Sequence, residues 1–200
     1  MGNPRDSFNH VRSAILTTIF WTVVVGGAYP LLMWGLGTLF FPHQSGGSLV
    51  VRDGATLGSS LIGQDFESDR YFHGRPSAIG YDSSNSGASN QGWTSAALKQ
   101  VYEQRLADWK KANPGAPAAV APPMDMLFAS ASGLDPHISP AAAEGQVARV
   151  AAARHLGAGQ SRALLDLVRV HEEPPQLGFL GEPRVNVLLL NLAVDQAFPG

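Results

Sequence analysis

Between Ser13 and Val51 the chain carries no Asp, Glu, Lys or Arg, and Ile15 to Phe41 within that stretch is apolar or weakly polar throughout. A helix over such a segment exceeds the roughly 20 residues needed to cross the hydrocarbon core of a bilayer. A secretory signal peptide has a shorter apolar region followed by a small-residue cleavage site. Here the segment runs on through Trp34, Gly35, Leu36 and Gly37 to Phe40, Phe41 and Pro42, and no Ala-x-Ala follows. A buried core helix is the other alternative. The length favours an uncleaved anchor, which divides the chain into a short N-terminus over 1–13, a transmembrane helix and its exit over 14–41, and a soluble domain over 42–200.

Arg5 and Arg12 precede the span, whereas the first basic residue after it is Arg52. The positive-inside tendency then places the N-terminus in the cytoplasm and residues 42–200 outside, which in a bacterium is the periplasm of the inner membrane. The span carries more than an anchor requires. Thr22 and Gly26 stand at small-xxx-small spacing, Gly27 adds a second small site, and Pro30 predicts a kink that frees a carbonyl near Gly26. Small residues let helices approach closely, so Thr22, Gly26, Gly27 and Pro30 are candidate helix-packing positions.

Of the 14 Lys and Arg only Arg5 and Arg12 precede the span, and of the 16 Asp and Glu only Asp6 does. The remainder is interspersed in sign, which argues against nucleic acid and anionic lipid as partners. The absence of cysteine excludes disulfides and thiolate metal sites.

Within the domain, Ser48 to Val51 reads as a strand bounded by an Asp53-Gly54 turn, and Leu57 to Gln64 as a second extended segment. Asp65 to Gly92 is dense in Ser, Gly, Asn and Asp but studded with Phe66, Tyr71, Phe72 and Tyr81, which predicts a long ordered loop of the kind that carries function. Leu98, Val101, Tyr102, Leu106 and Trp109 recur at helical spacing over Thr94 to Lys111, with Ser95 or Thr94 as cap. A Pro/Ala-rich connector over 112–123 and a short helix from Met124 to Ala131 follow. Ser139-Pro140 opens a helix over Ala141 to Leu156 with Gly157 as its stop, and Ser161 to Val170 forms another, with Leu164, Leu165, Leu167 and Val168 as its apolar face. Val185 to Val194 is apolar nearly throughout, and its periodicity does not separate strand from helix; a buried helix entered from Gly181 to Pro183 is the preferred assignment. The fold class is one N-terminal transmembrane helix plus a helix-rich α/β (α+β) soluble domain with a small sheet.

Recognisable chemistry is sparse. Ser132, Asp135 and His137 are the residue types of a hydrolytic triad, but triads are assembled from separate segments, so these are expected to be turn and capping residues. Ala78-Ile79-Gly80-Tyr81-Asp82 resembles a potassium selectivity filter, which needs several such loops around one axis inside a membrane. Lys99, Lys110 and Lys111 do not follow a glycine, no G-x-G-x-x-G occurs, and the six histidines lack ligand spacing. No catalytic, cofactor or metal residues are assigned. The residues describe an anchored, noncatalytic partner protein, with an anchored periplasmic enzyme of unknown chemistry as the alternative.

Six runs then stand out in order: Leu61-Ile62-Gly63-Gln64; Tyr71 to Ala78, reading YFHGRPSA; Ser86 to Asn90, SGASN; Ser130 to Ser139, SASGLDPHIS; Gln146 to Ala151, QVARVA; and Val185 to Leu188 with Leu190 to Ala193. Together they resemble the signature of KdpC, the C subunit of the bacterial Kdp potassium-importing P-type ATPase, from the anchor almost to the last residue. Ala131 stands where that family usually has glycine, and Gln91 and Trp93 replace an expected Leu and Pro.

The resemblance implies an accessory subunit of a complex in which a channel-like subunit conducts potassium and a P-type subunit hydrolyses ATP, so that ATP and K+ are handled by the partners. It also implies a catalytic-chaperone role that raises the ATP affinity of the hydrolysing subunit. Phe66, Tyr71, Phe72, Arg75 and Asn90 are the residues expected to contact the pump's outer face, since loop aromatics and arginine are common interface anchors. The competing reading, in which the aromatics pin the loop to its own core, stays open at this point.

Overall fold

A computed structural model of the chain describes residues 4–116 and 122–199. The middle of the Pro/Ala connector, residues 117–121, and the first three residues lie outside them. The chain divides into two compact units, Met1–Leu49 and Val50–Gly200.

The first unit is a long helix. Phe8–Phe40 is apolar enough to cross a membrane, with a mean hydropathy of 1.7, and none of its most apolar window is buried. That exposure separates it from the core helix of a soluble protein, whose apolar face would be covered. The path comprises α1 (Pro4–Val23), a π-helical turn over Val24–Ala28 and α2 (Tyr29–Phe40). The π turn corrects the simple kink expected at Pro30. The Tyr29 N–H donates to the Val24 carbonyl, one residue further back than in an α-helix, and α2 restarts with proline in its first turn, where a missing N–H costs little. A β-carbon on Gly26 would meet only Thr22 Cγ2, at 4.0 Å, and one on Gly27 would meet nothing within 4 Å, so this small-residue face is open. A short α3 (Pro42–Ser45) closes the unit.

The second unit begins with a hairpin of β1 (Leu49–Arg52) and β2 (Ala55–Ser59). Its two turn residues, Asp53 and Gly54, both take positive φ, 51° and 78°. That is the twist-compatible two-residue hairpin turn for which Asp-Gly is favoured. The Asp65 to Gly92 stretch contains no helix or strand.

Helix α4 (Ala96–Ala112) starts where the Ser95 side chain accepts from the Leu98 N–H, and it buries Trp109. The helix expected from Met124 to Ala131 is a single turn, α5 (Met124–Leu127), because the chain turns extended at Phe128. Helix α6 (Pro140–Ala153) follows the two-residue β3 (His137–Ile138). Ser139 caps α6 through Ala142 N–H and is itself fixed by Asp125, whose carboxylate accepts from the serine N–H at 2.6 Å and from its hydroxyl at 3.1 Å.

The predicted stop at Gly157 is corrected. Helix α6 ends at Ala153, with His155 at φ 56°, Leu156 N–H donating to Ala151 O and His155 N–H to Ala152 O. This paired closure uses histidine at the left-handed position where glycine is commoner. Gly157 instead precedes α7 (Ala158–Val170), which starts three residues earlier than expected because the Gln160 side chain reaches back to the Gly157 N–H.

The apolar run from Val185 is both strand and helix. β5 (Arg184–Asn186) lies between β3 and β4 (Glu172–Glu173) in an antiparallel sheet of order β3-β5-β4. Asn186 then caps α8 (Val187–Ala197), accepting from Leu189 N–H while donating to Ser60 O. Helices α6, α7 and α8 and the sheet enclose Ala142, Val150, Leu164, Val168, Val185, Leu190 and Val194 in one core.

Candidate partner-contact surface

Two buried carboxamides strap the long loop onto this core. Asn191 of α8 accepts from the Phe72 N–H at 2.8 Å and donates to the Phe72 carbonyl at 2.9 Å. Gln146 of α6 does the same for the next residue, accepting from His73 N–H at 2.8 Å and donating to His73 O at 3.2 Å. Each side chain mimics the paired bonds of a neighbouring strand, so backbone that has no sheet partner is satisfied inside the protein. The strap drives Phe72 into the core, where its relative exposure is 0%. Phe72 therefore leaves the set of contact residues expected from sequence. A side chain fully enclosed in the domain's core cannot meet a partner.

The other four candidates separate. Phe66 is half-buried and packs on the core, its ring tilted against Tyr71 at 5.5 Å between centroids. The Tyr71 hydroxyl donates to Asp195 at 3.1 Å, and the Arg154 guanidinium, which donates to the same carboxylate at 2.6 Å, lies over the Tyr71 ring. Both aromatics thus chiefly pin the loop. Asn90 is exposed, at φ 52°, a left-handed conformation that asparagine tolerates better than most residues. Arg75 points towards the Ser130 to Ser139 segment and donates from Nη1 to Asp135 at 2.9 Å, with both side chains 27% exposed. Its Nε is buried and has no hydrogen-bond partner among the described residues.

Asp135 is the hinge of this corner. Burial alone would raise its pKa, but hydrogen bonds from His137 and Arg75 outweigh that and hold the carboxyl below its ordinary value. Ser132 does not join Asp135 and His137 in a triad; its hydroxyl accepts from Leu134 N–H in a local turn, and Asp135 accepts from His137 N–H. The filter-like Ala78 to Asp82 stretch is likewise a turn, in which the Tyr81 hydroxyl donates to the Arg75 carbonyl. Burial, aided by Asp65 and Asp135, pushes the Tyr81 phenol up to about 12. A β-carbon at Gly63 would lie 2.6 Å from both Asp135 O and the Tyr81 ring, so glycine is required where these segments cross. Ala131, where glycine was expected, is not among the positive-φ residues; the left-handed position is Gly133, at 70°.

Beside Arg75 lies an open groove of about 900 Å³, lined by the apolar Trp93, Met124 and Phe128 and by the polar His137, Glu182 and Arg184. Trp93 is 83% exposed and its ring is tilted against Phe128 at 5.3 Å between centroids. Sequence reasoning passed over Gln146 and Asn191 as straps and Trp93 as an exposed aromatic. A glutamine and an asparagine set in apolar helical runs were the available signal, since such groups must find partners once buried.

The six sequence runs, spread from Leu61 to Ala193, are therefore one stitched region. Gly63 N–H donates to Leu134 O, Ser130 N–H to Pro76 O and Gly87 N–H to Ser132 O, and the Ser77 hydroxyl donates to Gly133 O. Residues 11–196 match the family model described as KdpC: K+-transporting ATPase, c chain. The chain belongs to the KdpC family. A Methylococcus capsulatus protein named potassium-transporting ATPase KdpC subunit is 51% identical over 190 residues, covering 94% of this chain and 97% of that protein. A Rhodospirillum rubrum protein of the same name is 49% identical over 191 residues, covering 94% of this chain and 96% of its own length. As a KdpC-family chain it is a subunit of the K+-transporting ATPase, and the one long apolar helix among the described residues is compatible with a membrane-anchored subunit of a transport complex.

Proposed function

We propose that this chain is a noncatalytic accessory subunit of an ATP-driven potassium importer, anchored with its N-terminus in the cytoplasm and its domain on the outer face. Its partners on this reading are the channel-like potassium-translocating subunit and the P-type subunit that hydrolyses ATP, and both ATP and K+ belong to them. The observation that carries the proposal is the strapped loop. Its backbone is held by Gln146 and Asn191, while Arg75 lines a groove shared with the exposed Trp93 and Asn90 is exposed on the same loop. A surface already ordered before docking binds at lower entropic cost than a loop that must fold on contact. Arg75 commits Nη1 to Asp135 while its guanidinium stays partly exposed at the groove, which favours an incoming carbonyl or carboxylate.

The span contributes through its open Gly26–Gly27 face, where another membrane helix can approach closely. A gain in ATP affinity of the pump then arises from preferring one conformation of the hydrolysing subunit rather than from nucleotide contact. Such coupling is reciprocal, so a nonhydrolysable nucleotide should tighten this chain's association with the pump by the same factor. Co-purification of the tagged chain is the first test. Recovery with two large membrane subunits supports the proposal, and a lone chain with hydrolase activity refutes it. Calorimetry with ATP is the second, since saturable binding by the isolated chain would require a nucleotide site and overturn the indirect coupling.

A further inference from the structure

His73 sits at the seam between loop and core, and a single ring nitrogen faces two neighbours of opposite demand. His73 Nε2 lies 3.3 Å from Arg149 Nη1 and 3.2 Å from the Ser68 carbonyl. A bare Nε2 can accept from the guanidinium, whereas a protonated one can only donate, to Ser68, and then confronts the guanidinium N–H at the same distance. Arg149 has little freedom to withdraw. Its side chain is 5% exposed and donates to Gln146 Oε1 at 2.6 Å, Asn113 Oδ1 at 3.2 Å and Asp69 O at 2.9 Å. The Gln146 oxygen that receives Arg149 also receives the His73 N–H, so displacement of the guanidinium acts directly on the strap.

We propose that His73 and Arg149 form an acid-sensitive latch, closed while the imidazole is neutral, whose protonation loosens the Tyr71 to Arg75 segment from α6. Other charges face His73 as well. Asp65 and Asp69 of its own loop attract the imidazolium. Glu67, Arg75 and Tyr81 share the cavity on one side of it, and Arg105 and Asp108 of α4 share the cavity on the other. Asp69 is 70% exposed and 3.5 Å from Arg149, so solvent weakens its compensation, whereas Arg149 is buried against the ring. Burial first and Arg149 second accordingly lower the His73 pKa, with Ser68, Asp69 and Asp65 opposing. A lowered folded-state value means that the unfolded chain binds the proton more readily. The latch's stability is present above the ordinary histidine pKa and is lost as pH falls through the folded value.

The consequence for pump assembly rests on the function proposed above, but the latch itself is a property of the lone chain. Hydrogen exchange of the full-length chain in detergent, corrected for intrinsic exchange, reads the Phe72 and His73 amides directly. Between about pH 7.5 and about pH 5.5 these two amides should lose protection several-fold in the wild type and stay nearly level in His73→Gln, while core amides of α8 hold in both. Parallel loss in wild type and variant, or no loss in the wild type, overturns the latch. If His73→Gln does not fold, NMR titration of the wild-type ring decides: titration below the ordinary histidine value together with loop amide shifts supports it, and titration at or above that value refutes it. A latch that responds while co-purification fails would leave the chemistry intact and remove only the assembly role.

Discussion

Replacing Gln146 by leucine removes the carboxamide with little change of volume and leaves four groups to fend for themselves. His73 N–H loses its acceptor, His73 O and Ala142 O lose a donor, and Arg149 Nη2 loses a bond of 2.6 Å. The Ala142 carbonyl keeps its helical role and Arg149 retains Asn113 and Asp69, so two of the four losses are partial. An orphaned buried neutral group costs roughly 1–3 kcal/mol and a charged donor bond about 1.5–3 kcal/mol. His73 is only partly buried, which places the backbone losses at the low end. The expected destabilisation is about 3–5 kcal/mol, a large share of the roughly 5–15 kcal/mol that holds a domain together. Urea unfolding of the full chain in detergent, followed by limited proteolysis, measures it. Gln146→Glu should lose less, since it keeps acceptors for His73 N–H and Arg149 and forfeits only the donated bonds. A Gln146→Leu midpoint within about 1 kcal/mol of wild type would show that water or backbone rearrangement satisfies the loop and that the strap is not what orders it.

Arg75→Ala breaks a half-exposed ion pair, so it should cost only about 1 kcal/mol of stability, yet it should sharply reduce recovery of the pump subunits on a tagged chain; equal recovery would remove Arg75 from the interface. Gly26→Leu keeps the span hydrophobic and should insert normally while weakening co-purification, because a bulky side chain separates close-packed helices; unchanged assembly would make the span a plain anchor. The chain has no cysteine, so Ser45→Cys and Ser7→Cys are clean single labels in intact cells. A membrane-impermeant thiol reagent should reach position 45 and not position 7, and the reverse would invert the topology.

The long apolar helix, the Asp53-Gly54 turn and the Ser95 and Ser139 caps were legible along the chain because each depends on residues a few positions apart: hydrophobic length, turn chemistry, a hydroxyl facing the next turn's N–H. The family resemblance was legible for the same reason, as ordered runs. What those runs are for was not. Gln64, Arg75, Gly133, Gln146 and Asn191 are remote in sequence, and only tertiary packing makes one carboxamide serve Phe72 and the next serve His73. The same packing reversed the status of Phe72, from expected surface aromatic to enclosed core, and divided the Val185 to Val194 run between a central strand and a helix. An apolar side chain carries no record of which face will be covered. The wide turn before Pro30 and the left-handed His155 belong with these cases, since local sequence permits several ways to end or bend a helix. The surroundings select among them by which backbone groups they leave unsatisfied.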